Sequence, residues 1–287
     1  MPEQKTPQTQ QPMVSYRAMF DAEVAQAVDE LQRPAAALFT SGVIAGVSVG
    51  FALLTAAFVV AQHGGMPDTL WTRLMLGSAY ALGFLLAILA RSDLFTEYTT
   101  ITILPVLVGD SRLRALVRLW ALVYAGNLVG GAIVSVAATS LGTEMGIFSD
   151  ADVESLALHL IKHEWWVILG SAVVAGWLMG MLSWLLAGGR DTTSQIVFIW
   201  LVGTTIGVLG LHHAITGGIE LFAAALSGSA VGWSEVLSVL FLTTLGNTLG
   251  GLAFAALIRQ GVEMNASGDG DTAERETGRD RRRARRE

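Results

Sequence analysis

Six stretches of this chain, at 35–61, 74–90, 119–141, 165–189, 196–211 and 236–258, contain no Asp, Glu, Lys or Arg. About twenty apolar residues cross the hydrocarbon of a bilayer as a helix, and a helix satisfies its backbone polar groups internally where no water can. The sequence therefore predicts an all-α integral membrane protein with six transmembrane helices. Only 15% of the residues are charged, against about 25% in a soluble domain. Seven of the 18 Lys and Arg fall after Glu274, so charge is displaced from the apolar stretches to the ends. The absence of cysteine excludes disulfides and thiolate metal sites.

The second and fifth stretches are short, and each is followed by polar residues and a further brief apolar piece. Arg91-Ser92-Asp93-Leu94-Phe95-Thr96-Glu97 precedes 101–108, and Leu211-His212-His213-Ala214-Ile215-Thr216-Gly217-Gly218 precedes 219–226. The economical reading is two helices broken in mid-membrane, which protein or a water-filled cavity must surround. The chain also repeats itself. Gly126-Asn127-Leu128-Val129-Gly130-Gly131 matches Gly246-Asn247-Thr248-Leu249-Gly250-Gly251, and Ser41-Gly42 through Gly46 resembles Ser171-Ala172 through Gly176. Span one thus pairs with four, broken two with broken five, and three with six. An odd number of spans per copy makes this an inverted 3+3 repeat, and paired interruptions in such a repeat mark the substrate path.

Residues 1–34 read as a Gln- and Pro-rich tail plus an amphipathic helix from Ser15 to Gln32, 35–260 as the channel domain, and 261–287 as a disordered charged tail. The first span reads as an uncleaved anchor. Arg17, Arg33, Arg112, Arg114, Arg118, Arg190, Arg259 and the Arg-rich tail share one side, whereas Arg73 and Lys162 lie on the other. Both termini are then cytoplasmic. Glycine pairs four apart (Gly46/Gly50, Gly126/Gly130, Gly176/Gly180, Gly246/Gly250) argue close helix packing. The basic tail reads as lying beside anionic lipid rather than binding nucleic acid.

His213 stands between two half-helices at membrane depth, where an ionisable residue is expensive and is by default functional. Burial favours its neutral form, from which it can still lend a proton or a donor to an anion. His212 points elsewhere, to protein or the pore mouth. Thr96 and the amides of Phe95–Glu97 form the partner site, with a half-helix beginning near Glu97 and aiming its positive end at the pore. Leu94, Phe95, Tyr80, Phe84 and Ile206 are pore-lining or constriction candidates; Tyr80 and Phe84 share a helix face. Arg91 and Glu97 form either a buried ion pair or, in Arg91, a source of positive potential along the path. Lys162 is either a cation gathering anions at the mouth or an ordinary surface lysine. No metal cluster, nucleophile triad or phosphate loop stands out, so neither an enzyme nor a cofactor is expected.

Asp93-Leu94-Phe95-Thr96 resembles the first-break signature of the formate/nitrite transporter family, and the His213 break resembles that family's central histidine motif. The resemblance covers about 35–258. It implies an aquaporin-like protomer in a homopentamer of the bacterial inner membrane, each protomer passing small monovalent anions through its own pore. By that resemblance Thr96 and His213 are the central pair, Phe95 and Phe84 constriction candidates, and Lys162 the vestibule lysine. Gly217 stands where relatives usually have Asn, His212 where they often have an acidic residue, and Gly176 where they have Asn. Arg91 is also unusual, which places the sequence nearer a divergent branch.

The mechanism expected from these features lets a weak acid cross the apolar constrictions neutral, protonated near His213. Two rival readings are a neutral-solute or water channel and a non-transporting membrane scaffold or sensor.

Overall fold

The computed structural model describes residues 15–189 and 191–283, with side chains through Met264. The expected tails at 1–13 and 261–287 therefore lie largely outside the described side chains, and Arg190 outside the described residues. Among those described the regular structure is helical. The order is α1 (Tyr16–Gln32), α2 (Ala35–His63), α3 (Leu70–Leu89), α4 (Phe95–Ile101), α5 (Leu104–Val108), α6 (Leu113–Ala137), α7 (Asp150–Ile161), α8 (Trp165–Gly188), α9 (Thr192–Val208), α10 (Ala214–Leu226) and α11 (Trp233–Arg283). Five of them, α2, α3, α6, α8 and α11, are long and apolar enough to cross a membrane.

Glycine decides how these helices pair. A methyl added at Gly42 would lie 2.7 Å from the Val123 carbonyl oxygen, and one at Gly46 would overlap the carbonyl of Asn127. In the second half Gly176 meets the carbonyl of Asn247 in the same way, and Gly250 that of Val173. Thus α2 lies on α6 as α8 lies on α11, backbone against backbone, in the manner of apolar helices that cannot rely on the hydrophobic effect to associate. Ile44, Phe58, Val174, Leu237 and Phe241 are exposed on the outside of this bundle.

The chain leaves helical geometry at Ala90–Leu94 and again at Leu209–His213. Both interruptions turn through a left-handed residue, Gly210 at φ 61° and Arg91 at φ 54°. Glycine adopts this geometry freely, whereas the arginine Cβ costs about 1 kcal/mol there.

The interruptions end earlier than the sequence suggests. Helix α4 starts at Phe95 rather than near Glu97, and Gly217 and Gly218 belong to the first turns of α10. Those two glycines serve packing, since added methyls would sit 3.2 Å from Leu160 and 3.1 Å from Leu240. Helix α7 lies between the third and fourth uncharged stretches. Ser149 and Asp152 form a capping box at its start, and Val153, Leu156, Ala157 and Leu160 bury one face.

Helix α1, capped by the Ser15 hydroxyl accepting from Ala18 N, packs across the ends of α4, α5, α6, α8 and α11. Arg33 follows it and forms ion pairs with Glu30 and with buried Asp93 at 2.8 Å.

Candidate functional site

The two interruptions are built alike. Asn127 on α6 accepts from Phe95 N at 2.8 Å and donates to the carbonyls of Gly42 and Asp93, both at 2.9 Å. Asn247 on α11 accepts from Ala214 N at 2.7 Å and donates to Ala172 O at 2.8 Å and His212 O at 3.0 Å. Ser41 Oγ accepts from Asp93 N, and Ser171 Oγ accepts from His212 N, each at 3.1 Å. Each amide spends three hydrogen bonds tying a break to two neighbouring helices. Leu94 and His213 then occupy matching N-cap positions of α4 and α10.

The breaks meet at Thr96 and His213, whose Oγ1 and Nε2 lie 2.8 Å apart. Both residues are buried, as are Leu94, Phe84 and Ile206. His213 Nδ1 caps its own helix by accepting from Thr216 N at 3.3 Å. A nitrogen that accepts a backbone N–H carries no proton, so in the neutral ring the proton resides on Nε2 and is donated to Thr96 Oγ1. The Thr96 hydroxyl keeps its own proton for another acceptor. Phe84 closes on the imidazole edge-to-face at 4.9 Å.

His212, next in sequence, has both ring nitrogens in contact with protein groups. Its Nδ1 contacts Ser171 Oγ and its Nε2 the Leu160 carbonyl, both at 3.0 Å, which fixes α7 over the second break. Phe95 points away from the Thr96–His213 pair. Its ring packs on Tyr124 at 4.8 Å and Trp120 at 6.2 Å, beside a groove shared with Phe241 and Leu245.

Arg91 and Glu97 do not form an ion pair among the described residues. Arg91 is exposed at its left-handed turn. Glu97 lies near Asp93 and Glu23, while Arg33 and the Tyr98 hydroxyl hold Asp93. The partner of the first break is thus Arg33, sixty residues away and therefore invisible to a local reading.

On the opposite end from α1, a cavity of about 220 Å³ is lined by Arg73, Leu76, Tyr80, His159, Lys162 and Leu209 among others. Lys162 Nζ donates to His159 Nδ1 at 2.8 Å. Burial, with Lys162 and His163 adding to it, pushes the His159 imidazole down to about 4, so it stays neutral and accepts. Among the described residues, no group of three His, Cys, Asp or Glu side chains could hold a metal ion.

In the sequence Asn127 and Asn247 mark the repeat, and their bracing role shows only in the fold. The apolar piece at 219–226 likewise holds Glu220, fully buried. A lone amide or carboxyl inside an apolar span was the available signal in each case.

This pair of braced breaks, meeting at a threonine and a histidine inside a bundle of helices apolar enough to cross a membrane, defines an all-helical integral membrane protein. The sequence model of the formate/nitrite transporter family matches residues 17–260, and the chain belongs to that family. It is 31% identical over 235 residues to the inner membrane protein YfdC of Escherichia coli, covering 80% of this chain and 73% of that one. It is 26% identical over 225 residues to the nitrite transporter NirC of Salmonella typhimurium, covering 76% and 80%. Among solved structures, a pentameric formate channel with formate bound superposes with a TM-score of 0.68 at 22% identity, over 80% of this chain and 98% of that one. The protein is accordingly a multi-pass inner-membrane protein of a channel and transporter family.

Proposed function

We propose that this protein passes small monovalent anions of weak acids, formate- or nitrite-like, through a pore centred on Thr96 and His213, with a proton accompanying the anion. The observation that carries this reading is the 2.8 Å contact between Thr96 Oγ1 and His213 Nε2. It joins the two breaks where the halves of the repeat meet, and it leaves a hydroxyl proton to be offered. The names of relatives such as NirC and of the formate channel support the substrate class.

In this reading α3 with α4 and α5 forms one crossing and α9 with α10 another, giving six crossings with α2, α6, α8 and α11. The arginine-bearing end with α1 faces the cytoplasm, and five copies assemble with a pore in each. A bare anion in a low-dielectric interior costs tens of kcal/mol in the idealised Born estimate. Lys162 and Arg73 gather the anion at the outer vestibule, and the positive N-terminal ends of α4 and α10 lower its energy at the centre. The Thr96 hydroxyl and His213 Nε2–H then donate hydrogen bonds to the anion, a proton drawn from bulk water neutralises it, and the neutral acid passes Phe84, Leu94 and Ile206. Arg91 occupies, in the first repeat, the place that Gly210 holds beside the outer vestibule. It therefore puts a cation at the inner mouth.

Light scattering from proteoliposomes tests the substrate class. Shrunken vesicles should reswell faster in formate or nitrite than protein-free vesicles do, and no faster in urea or glycerol. Acceleration by the uncharged solutes alone would replace this reading with a neutral-solute channel.

A further inference from the structure

Glu220 is the one fully buried carboxyl on α10, and the central Thr96–His213 contact does not use it. It lies seven residues beyond His213, two helical turns or about 10 Å toward the outer end. The Tyr80 hydroxyl donates to its Oε1, and its Oε2 has no hydrogen-bond partner. Helix α3 runs antiparallel to α10 here. Phe84 on α3 meets His213, and Tyr80, one turn outward, meets Glu220. Tyr80 also lines the outer vestibule together with Arg73, His159 and Lys162. The order from outside inward is therefore vestibule, Tyr80, Glu220, then Thr96–His213.

We propose that Glu220 and Tyr80 form a second proton-donating station on the outer half of the path, handing a proton to the incoming anion before it reaches Thr96 and His213. The proposal rests on the transport reading above.

No Lys or Arg among the described residues pairs with Glu220. A buried, unpaired carboxylate at membrane depth is expensive, so the group rests protonated. Its unpartnered Oε2 carries a proton with no protein acceptor. Titratable groups at the same end are engaged elsewhere. His159 on α7 accepts from Lys162, Glu154 on α7 holds Ala230 N, His63 on α2 meets Asp68, and Glu235 on α11 holds Ser234. Among the described residues α6 and α4 carry their charges near the α1 end, and Tyr80 alone is in polar contact with Glu220. The step balances simply. The O–H bond at Oε2 breaks as the anion takes the proton and becomes a neutral acid. The Tyr80 hydroxyl proton moves to Oε1, rotation of the carboxyl returns it to the unpartnered side, and a vestibule water, itself replenished by a proton from the bulk, re-protonates the phenol.

The test is uptake of radiolabelled formate into proteoliposomes, with internal pH followed by a trapped dye. Glu220→Gln keeps an acceptor for Tyr80 but has no acidic proton. It should slow formate uptake and the linked acidification about a hundredfold, the usual order for losing a proton donor, without changing assembly on size exclusion. Glu220→Asp should recover part of the rate. Tyr80→Phe retains the carboxyl and should also slow uptake, more severely as external pH rises. It serves as the independent variant if Glu220→Gln fails to assemble. Wild-type rates in both Glu220→Gln and Tyr80→Phe, or in Tyr80→Phe alone where the other does not assemble, overturn the proposal while transport stands. No formate or nitrite uptake by the wild type overturns both readings together.

Discussion

At the scale of single residues the structure separates two neighbouring histidines that the sequence leaves side by side. His213 caps α10 and reaches across to Thr96, whereas His212 binds Ser171 and the Leu160 carbonyl. His213→Ala should therefore reduce proton-linked formate uptake by about a hundredfold, while His212→Ala should leave the mechanism intact and lower thermal stability by about 1–3 kcal/mol. The brace asparagines give a sharper stability expectation. Asn127→Ala leaves Phe95 N and the Asp93 carbonyl buried without partners, as Asn247→Ala leaves Ala214 N and the His212 carbonyl at the second break. Each should cost about 3 kcal/mol or more, since an orphaned buried polar group costs about 1–3 kcal/mol. Thermal unfolding in detergent checks it. Thr96 and His213 were legible because polar residues interrupt apolar spans at matching points of a repeat. The Arg33–Asp93 pair was not, because its partners are sixty positions apart and only the folded backbone joins them.

At the scale of helices, small residues set distances and buried charges set docking. Gly46→Leu and Gly176→Leu each drive a side chain into the carbonyl of an asparagine brace and should abolish assembly. Gly170→Leu, where nothing lies within 4 Å of the added carbon, should leave it unchanged; size exclusion distinguishes the two. Helix α1 buries Glu23, and burial raises that carboxyl from an ordinary 4.5 to about 7. A raised carboxyl favours the protonated, docked state, so docking is strongest below pH 4.5 and weakens as pH rises toward 7. The loss approaches about 3 kcal/mol. Protection factors in α1, with the intrinsic base-catalysed exchange rate divided out, should be lower at pH 8 than at pH 5, and Glu23→Gln should remove the difference. The helices themselves were legible from uncharged length, and the ends less so. Gly217-Gly218 looks like a break locally, yet serves packing against Leu160 and Leu240, a purpose only tertiary structure reveals.

At the scale of the whole molecule, the sequence repeat explains why one chain builds two similar breaks and then differentiates them. Leu94 and His213 hold equivalent positions, as do Arg91 and Gly210, so in the proposed transport reading one half contributes apolar closure and a cation while the other contributes the imidazole. The outer apolar side chains, Phe241 among them, and the groove beside Phe95 and Trp120 leave a face for neighbouring copies or lipid. Native mass spectrometry from detergent should give five chains, and a stable dimer or trimer would refute the pentamer. The central claim is that a small anion crosses with a proton at Thr96 and His213. Its most direct measurement is formate uptake by proteoliposomes of wild type and His213→Ala across about pH 5–8, where histidines ordinarily titrate. The account predicts wild-type uptake that rises as external pH falls and a variant that has lost this response. Identical pH profiles for the two proteins would contradict it.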